Sequence, residues 1–119
     1  MKATECIAEA HRLGEHWQLA INQFVDDFRR ATPEERPLLV QDPVETIGKL
    51  EGLLAAVISS LCREVGQPPP PWVGTTGSPE PFFAIPANGH ALRLRLMIES
   101  PPPFFVRNVF VPSNYLSRA

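Results

Sequence analysis

The sequence predicts a mainly α protein: a long antiparallel helix pair, with short helices, and a proline-rich C-terminal half held to it by aromatic side chains. Apolar residues return at three- and four-residue steps from Thr4 to about Arg30 and again from Asp42 to Gly66, the spacing that lines one face of a 3.6-residue helix. Beyond Gly66 the chain changes character, with runs of proline at 68–71 and 101–103 and five of the seven phenylalanines. At 119 residues the whole fits one domain, a helical core over 1–66 with residues 67–119 packed on it.

The first helix carries Cys6, Ala10, Leu13, Trp17, Ile21, Phe24 and Phe28 on one face and Glu5, Glu9, Glu15, Gln18 and Asp26 around the rest. Gly14 weakens it locally by roughly 1 kcal/mol relative to alanine, a cost that close packing would offset. Thr32-Pro33-Glu34-Glu35 is a capping box opening a short helix to about Gln41. Asp42 then caps the central helix, Pro43 takes its first position and Gly66 ends it, with Val44, Ile47, Leu50, Leu54, Val57/Ile58, Leu61 and Val65 on its apolar face. An antiparallel pairing sets Phe24 and Phe28 near Val44 and Ile47, Trp17 near Leu54, and Ala10 near Leu61. Gly48, Gly52 and Ala56 form a small-residue stripe that admits another backbone of the same chain.

Four prolines before Trp72 favour an extended polyproline conformation, which Trp72 folds back onto the helices. Residues 74–79 read as a loop anchored by Phe82, Phe83 and Ile85. Over 91–98 leucine and arginine alternate, a pattern of a half-buried strand written in good helix formers. We read it as a helix capped by Asn88, the rival being a strand paired with 108–111. Ser100 is placed to cap a short turn through Phe104, Phe105 and Arg107. Val109-Phe110-Val111 is extended, and Ser113 starts a last turn that holds Tyr115 and Leu116 and brings Arg118 to its C-terminal end, where a cation is favoured. Phe104, Phe105 and Phe110 are expected to pack the tail against the Trp17–Leu54 core, leaving Arg107 outside it.

A net charge of −2 supplies no overall attraction to nucleic acid or an acidic membrane. Residues 1–66 hold 7 basic and 11 acidic side chains, and the remainder holds Arg93, Arg95, Arg107 and Arg118 against Glu80 and Glu99. Acidic residues stand where a signal peptide needs an apolar run, and no apolar stretch has membrane-spanning length, so a cytoplasmic protein without a membrane partner is expected. Cys6 and Cys62 then read as reduced, buried thiols brought to one end of the core.

No chemistry-bearing constellation stands out. His11, His16 and His90 with the two cysteines lack zinc-ligand spacing, so no metal or other cofactor is expected. Asp26-Asp27 and Glu34-Glu35 are neighbours that do not face each other on a helix and read as solvated surface. A nucleophile elbow and a phosphate-binding glycine loop are both missing, which argues against an enzyme. A helix-turn-helix built on the central helix would aim Asp42 and Glu45 at phosphates with only Lys49 to answer them.

The run Glu99-Ser100-Pro101-Pro102-Pro103-Phe104-Phe105-Val106-Arg107-Asn108-Val109-Phe110-Val111, followed by Leu116-Ser117-Arg118-Ala119, resembles the C-terminal end of an uncharacterised bacterial family with an E-S-P-x-x-F-x-x-R-N-x-F-V motif and an L-x-R-A ending. Pro70-Pro71-Trp72 matches that family's helix-to-loop junction, and the resemblance spans roughly residues 50–119. It implies an antitoxin-like or accessory partner, since the family's genes sit beside those of nucleotidyltransferase-like toxins. Many relatives carry an N-terminal DNA-binding module, where this chain has an acidic helix instead. The expectation is therefore a small non-enzymatic protein-binding module whose contact surface draws on Trp72, Arg93, Arg95, Arg107, Asn108 and Tyr115. The alternative is a small DNA-binding transcription regulator acting through Arg93, Arg95 and Arg107.

Overall fold

A computed structural model describes residues 1–85 and 89–118; the capping role expected of Asn88 and the Arg118 side chain lie outside what it describes. The fold is mainly α, as the periodicity predicts: α1 (Ala3–Leu13), α2 (Gln18–Arg30), α3 (Arg36–Val40), α4 (Lys49–Val65), α5 (His90–Glu99) and α6 (Pro102–Phe105), with two short strands, β1 (Phe82–Phe83) and β2 (Val109–Phe110).

The predicted pairing of one long helix over 4–30 with the central helix is corrected: the first stretch breaks into an antiparallel hairpin of α1 and α2, of which only α1 runs against the central helix. Gly14 takes φ +60°, a left-handed conformation that favours glycine, and a single 3₁₀ turn over Gly14–His16 folds α2 back along α1. No atom crowds the space a Cβ would fill there, so Gly14 serves the turn rather than close packing. Across the hairpin the Cys6 thiol donates to the Ala20 carbonyl at 3.5 Å, and the Met1 amino group meets Asp27 at 3.0 Å.

Helix α4 packs on both arms of this hairpin. His11 lies beside Glu51 at one end and Arg29 forks onto Glu64 at the other, at 3.1 and 2.9 Å, so α2 runs in the sense of α4 and α1 runs against it. The expected neighbourhood of Phe28 and Ile47 is thereby replaced: Phe28 lies toward the C-terminal end of α4, and Ile47 is 86% exposed. The helix also begins at Lys49 instead of Pro43, and residues 43–47 are irregular. Glu51 accounts for this start. Its carboxylate lies in the first turn, where the helix dipole favours a negative charge, and it accepts a hydrogen bond from the Thr46 hydroxyl that holds the preceding chain out of helical register. At the other end Gly66, at φ +73°, closes the helix as the sequence indicates, with the Gln67 amide donating to the Cys62 carbonyl at 2.9 Å. The Thr32 capping box also forms: the Glu35 amide donates to the Thr32 hydroxyl, and the Thr32 amide to the Glu35 carboxylate, each at 3.2 Å.

The core is aliphatic and aromatic, built from Ile21, Phe24, Val25 and Phe28 of α2, Ala3, Cys6, Ile7 and Ala10 of α1, and α4, which is buried on all sides from Leu50 through Ile58. Gly52 lets the 77–78 loop lie directly on α4: a Cβ there would come 2.8 Å from the Gly77 carbonyl carbon and closer still to the Ser78 amide. This is the close intramolecular approach the small-residue stripe implies.

The two strands pair in parallel, Phe82 with Val109 and Phe83 with Phe110, and are joined through α5 and α6. Strand alternation then divides the tail between two surroundings. Val109 and Val111 enter the main core together with Phe104, while Phe110 points to the other side, into a small cluster with Leu96 and Phe83. The expectation that Phe105 and Phe110 join the Trp17–Leu54 core is corrected accordingly: Phe105 is half exposed and touches the Phe110 ring edge-on at 6.0 Å. Ser100 does not cap α6 either, since Pro101 occupies the cap position. Its hydroxyl donates to the Leu96 carbonyl at 2.7 Å and receives the Val111 amide at 2.8 Å, tying the end of α5 to the chain after β2.

Candidate functional site

Of the six side chains that the sequence offers for partner contact, Trp72 and Tyr115 tie the C-terminal half to the helical core, and Arg107 and Asn108 brace the C-terminal half internally. The Trp72 indole donates to the Val40 carbonyl at 2.9 Å, which docks the polyproline segment against α3. Arg107 is half-buried, and its Nε and Nη2 both donate to the Val73 carbonyl, at 3.2 and 3.1 Å, while Nη1 donates to the Pro103 carbonyl at 2.7 Å. Burial lowers its pKa from the ordinary guanidinium value, though an arginine stays charged at any ordinary pH. Asn108, at φ +64°, turns the chain into β2 and reaches the Ser78 carbonyl with Nδ2 at 3.4 Å. Tyr115 is buried; burial pushes its phenol up to about 12, and its hydroxyl donates to Gln18 Oε1 at 2.6 Å.

The expectation that Arg107 stands outside the packed tail is thus corrected. Arg107→Ala leaves two carbonyls without their charged donor, and a hydrogen bond to a charged group is worth about 1.5–3 kcal/mol. Chemical denaturation should show a loss of about 2 kcal/mol. Arg107→Lys should recover only part of it, because an ammonium cannot present the planar fork.

Arg93 and Arg95 stand on α5 at the surface. The Arg93 guanidinium lies 5.7 Å over the Phe83 ring, and Arg95 pairs with Glu99 at 3.1 Å. The leucines between them decide the character of this helix. A two-residue alternation on a helix throws successive leucines to opposite sides, since two residues turn the chain by about 200°. Leu92 and Leu96 therefore share a side, on which Leu96 is buried against Phe83 and Phe110 while Leu92 is 41% exposed. Leu94 and Ile98 share the outer side with Met97, and they are 49%, 76% and 39% exposed. An open groove of about 550 Å³ lies between Glu80, Pro81 and Phe83 on one wall and His90, Arg93, Leu94 and Met97 of α5 on the other, with Ile98 outside its lining. The alternation that makes the sequence ambiguous is also the signal for a helix apolar on both sides; read only as strand against helix, it does not single out Leu94, Met97 and Ile98.

A second constellation escapes sequence reading altogether. Glu51 is almost completely buried in α4, where its Oε2 accepts from the Thr46 hydroxyl and lies 2.8 Å from His11 Nε2, while its Oε1 has no hydrogen-bond partner among the described residues. An ionised carboxylate only accepts, so Nε2 carries the proton in this contact. Burial pushes the Glu51 pKa up, but the bonds from Thr46 and His11 outweigh it and hold the group below its ordinary value. In the unfolded chain that value is near 4.5, so the stabilisation is complete above about pH 4.5 and is lost as pH falls through the lower folded value. Glu51→Gln should consequently be less stable than the parent at neutral pH, with the difference shrinking on acidification. Urea midpoints across a pH series would show this, and a constant difference would mean that the charge contributes nothing.

Both cysteines are free and buried, and desolvation pushes their thiols up, Cys6 to about 12 and Cys62 to about 11, which leaves little nucleophilic thiolate. Among the described residues no group of three or more His, Cys, Asp or Glu is placed to hold a metal ion, and no helix is long and apolar enough to cross a membrane. No protein-family model, curated protein or solved structure matches the chain.

Proposed function

We propose that this chain is a small non-enzymatic, cytoplasmic protein-binding module, antitoxin-like or accessory in kind, that offers the outer face of α5 to a protein. The observation that carries the reading is the exposed row of Leu94, Met97 and Ile98 opposite the buried Leu96. A helix that is apolar on both sides belongs between two layers, and the described residues supply only one of them. Arginines beside the row suit such a surface, where Arg is enriched. The resemblance of residues 99–111 to the E-S-P-x-x-F-x-x-R-N-x-F-V family adds a nucleotidyltransferase-like toxin as a partner to try first.

The regulator reading has less support, because Arg107 spends its donors on backbone carbonyls and only Arg93 and Arg95 remain of the three arginines it invoked. Duplex affinity is built on several such contacts. The test is affinity capture with the folded chain as bait, using the products of neighbouring genes and whole-cell lysate, with Ile98→Asp as the control. Capture by the parent and loss with Ile98→Asp is the expected result. No captured protein at micromolar concentration, together with a low-salt shift of promoter DNA that needs Arg93 and Arg95, would overturn it in favour of the regulator.

A further inference from the structure

We propose that residues 67–71 present a preformed polyproline II ridge to a protein groove lined by aromatic rings, a second contact surface separate from the outer face of α5. Local chemistry dictates the shape of this stretch. Each proline ring fixes φ at about −65°, and a residue that precedes a proline is pushed out of the helical region, so Gln67, Pro68, Pro69 and Pro70 are each held extended by the proline that follows. Pro70 stands at φ −66° and ψ 150°, in the polyproline II region.

The segment is tied at both ends. The Gln67 amide donates to the Cys62 carbonyl at 2.9 Å, and beyond the prolines the Val73 amide donates to the Pro70 carbonyl at 3.1 Å while the Trp72 indole holds Val40. Between these anchors burial repeats every third residue: Gln67 and Pro70 are half-buried, whereas Pro68, Pro69 and Pro71 are exposed. Three is the period of the polyproline II helix. The edge of Gln67 and Pro70 therefore rests on the protein, and the edge of Pro68 and Pro71 lies outward beside that of Pro69. Two outward edges of a three-edged rod make the side that a groove takes.

Hydrogen bonding selects the occupant. The Gln67 amide is spent on Cys62 and the four prolines have no N–H, so five successive residues offer no free backbone donor. A partner strand would find no ladder to join, which excludes addition to a sheet edge. The carbonyls of Gln67, Pro68 and Pro69 accept no hydrogen bond from the described residues and stay open to a partner. The complementary surface thus carries flat apolar faces for the proline rings and N–H or O–H donors for these carbonyls, which tryptophan and tyrosine combine in one side chain. Because the fold already orders the ridge, binding it costs little conformational entropy.

Calorimetric titration of the full chain into a panel of isolated SH3 and WW domains, whose grooves are of this kind, tests the proposal. At least one domain should bind, and an octaproline peptide should compete for it. Pro68→Ala and Pro71→Ala each remove two ring methylenes from the outward edge and should each weaken binding about tenfold, with little change in melting temperature because both rings are exposed. Gln67→Ala on the inner edge and Ile98→Asp on α5 should leave the affinity unchanged. A panel without a single binder at millimolar chain, binding that octaproline does not displace, or binding that persists with both prolines replaced would each overturn the ridge and leave the α5 reading standing. Binding lost with Ile98→Asp would overturn it in favour of α5 as the contact.

Discussion

Phe104→Ala is expected to cost about 3–5 kcal/mol, a large share of what a domain of this size has to lose. Its ring is fully buried, it meets Tyr115 edge-on at 5.8 Å, and it belongs to the main core together with Val109 and Val111. Truncation removes the transfer energy of the ring and leaves a cavity that α6, pinned by Arg107 through the Pro103 carbonyl, cannot collapse to fill. Denaturant unfolding should show a much lower midpoint for the whole chain. Phe105→Ala, at a half-exposed position on the same short helix, should change it little. Equal losses at the two positions would mean that the tail is not divided between core and surface as described.

Gly52→Val should be comparably severe, at about 3 kcal/mol, for the opposite reason: too much volume instead of too little. The atoms that the new side chain would meet are backbone, the Gly77 carbonyl carbon at 2.8 Å and the Ser78 Cα at 3.0 Å, and backbone cannot swing aside as a flexible side chain can. The loop must lift off α4, and doing so strains the Ser78 amide bond to the Arg107 carbonyl, 2.9 Å long. In Gly52→Ala the better helix propensity of alanine returns about 1 kcal/mol, so that variant should fall between the two. If alanine were to stabilise the chain, the loop would have to be displaced cheaply and the close approach would carry no constraint.

How much of this was legible in the sequence depended on how local the deciding interaction was. The Thr32 box and the Gly66 terminus are local, and each formed where the residues indicate, whereas the apolar face of the central helix lost Val44 and Ile47 to an irregular lead-in. The break at Gly14 was not legible, because the residues on both sides of it keep helical spacing; only the packing of Cys6 and Ile21 into one core demands a reversal there. Asp42-Pro43 is a good local start that lost to a tertiary one, the Thr46–Glu51–His11 contact, whose members lie up to 40 residues apart. The site divides in the same way. Arg93 and Arg95 were placed on an exposed helix, but Trp72, Arg107, Asn108 and Tyr115 find their partners 30 to 97 residues away, and residue type alone cannot tell an arginine that meets a partner from one that clamps its own backbone.

The parallel pairing of β1 with β2 bears on how the molecule breathes. Two residues per strand close a crossover of 25 residues, 84–108, which contains both α5 and α6. Those ends are held differently: α6 carries Phe104 into the core, whereas α5 is fastened by Leu96, Arg93 and the Ser100 hydroxyl. Helix α5, with Leu96 its one buried side chain, is therefore expected to open locally at a free energy below that of global unfolding. Amide protons of α5 should therefore exchange with solvent deuterium while those of α4 stay protected, and anything that covers the outer face of α5 should slow that exchange without touching the helical hairpin.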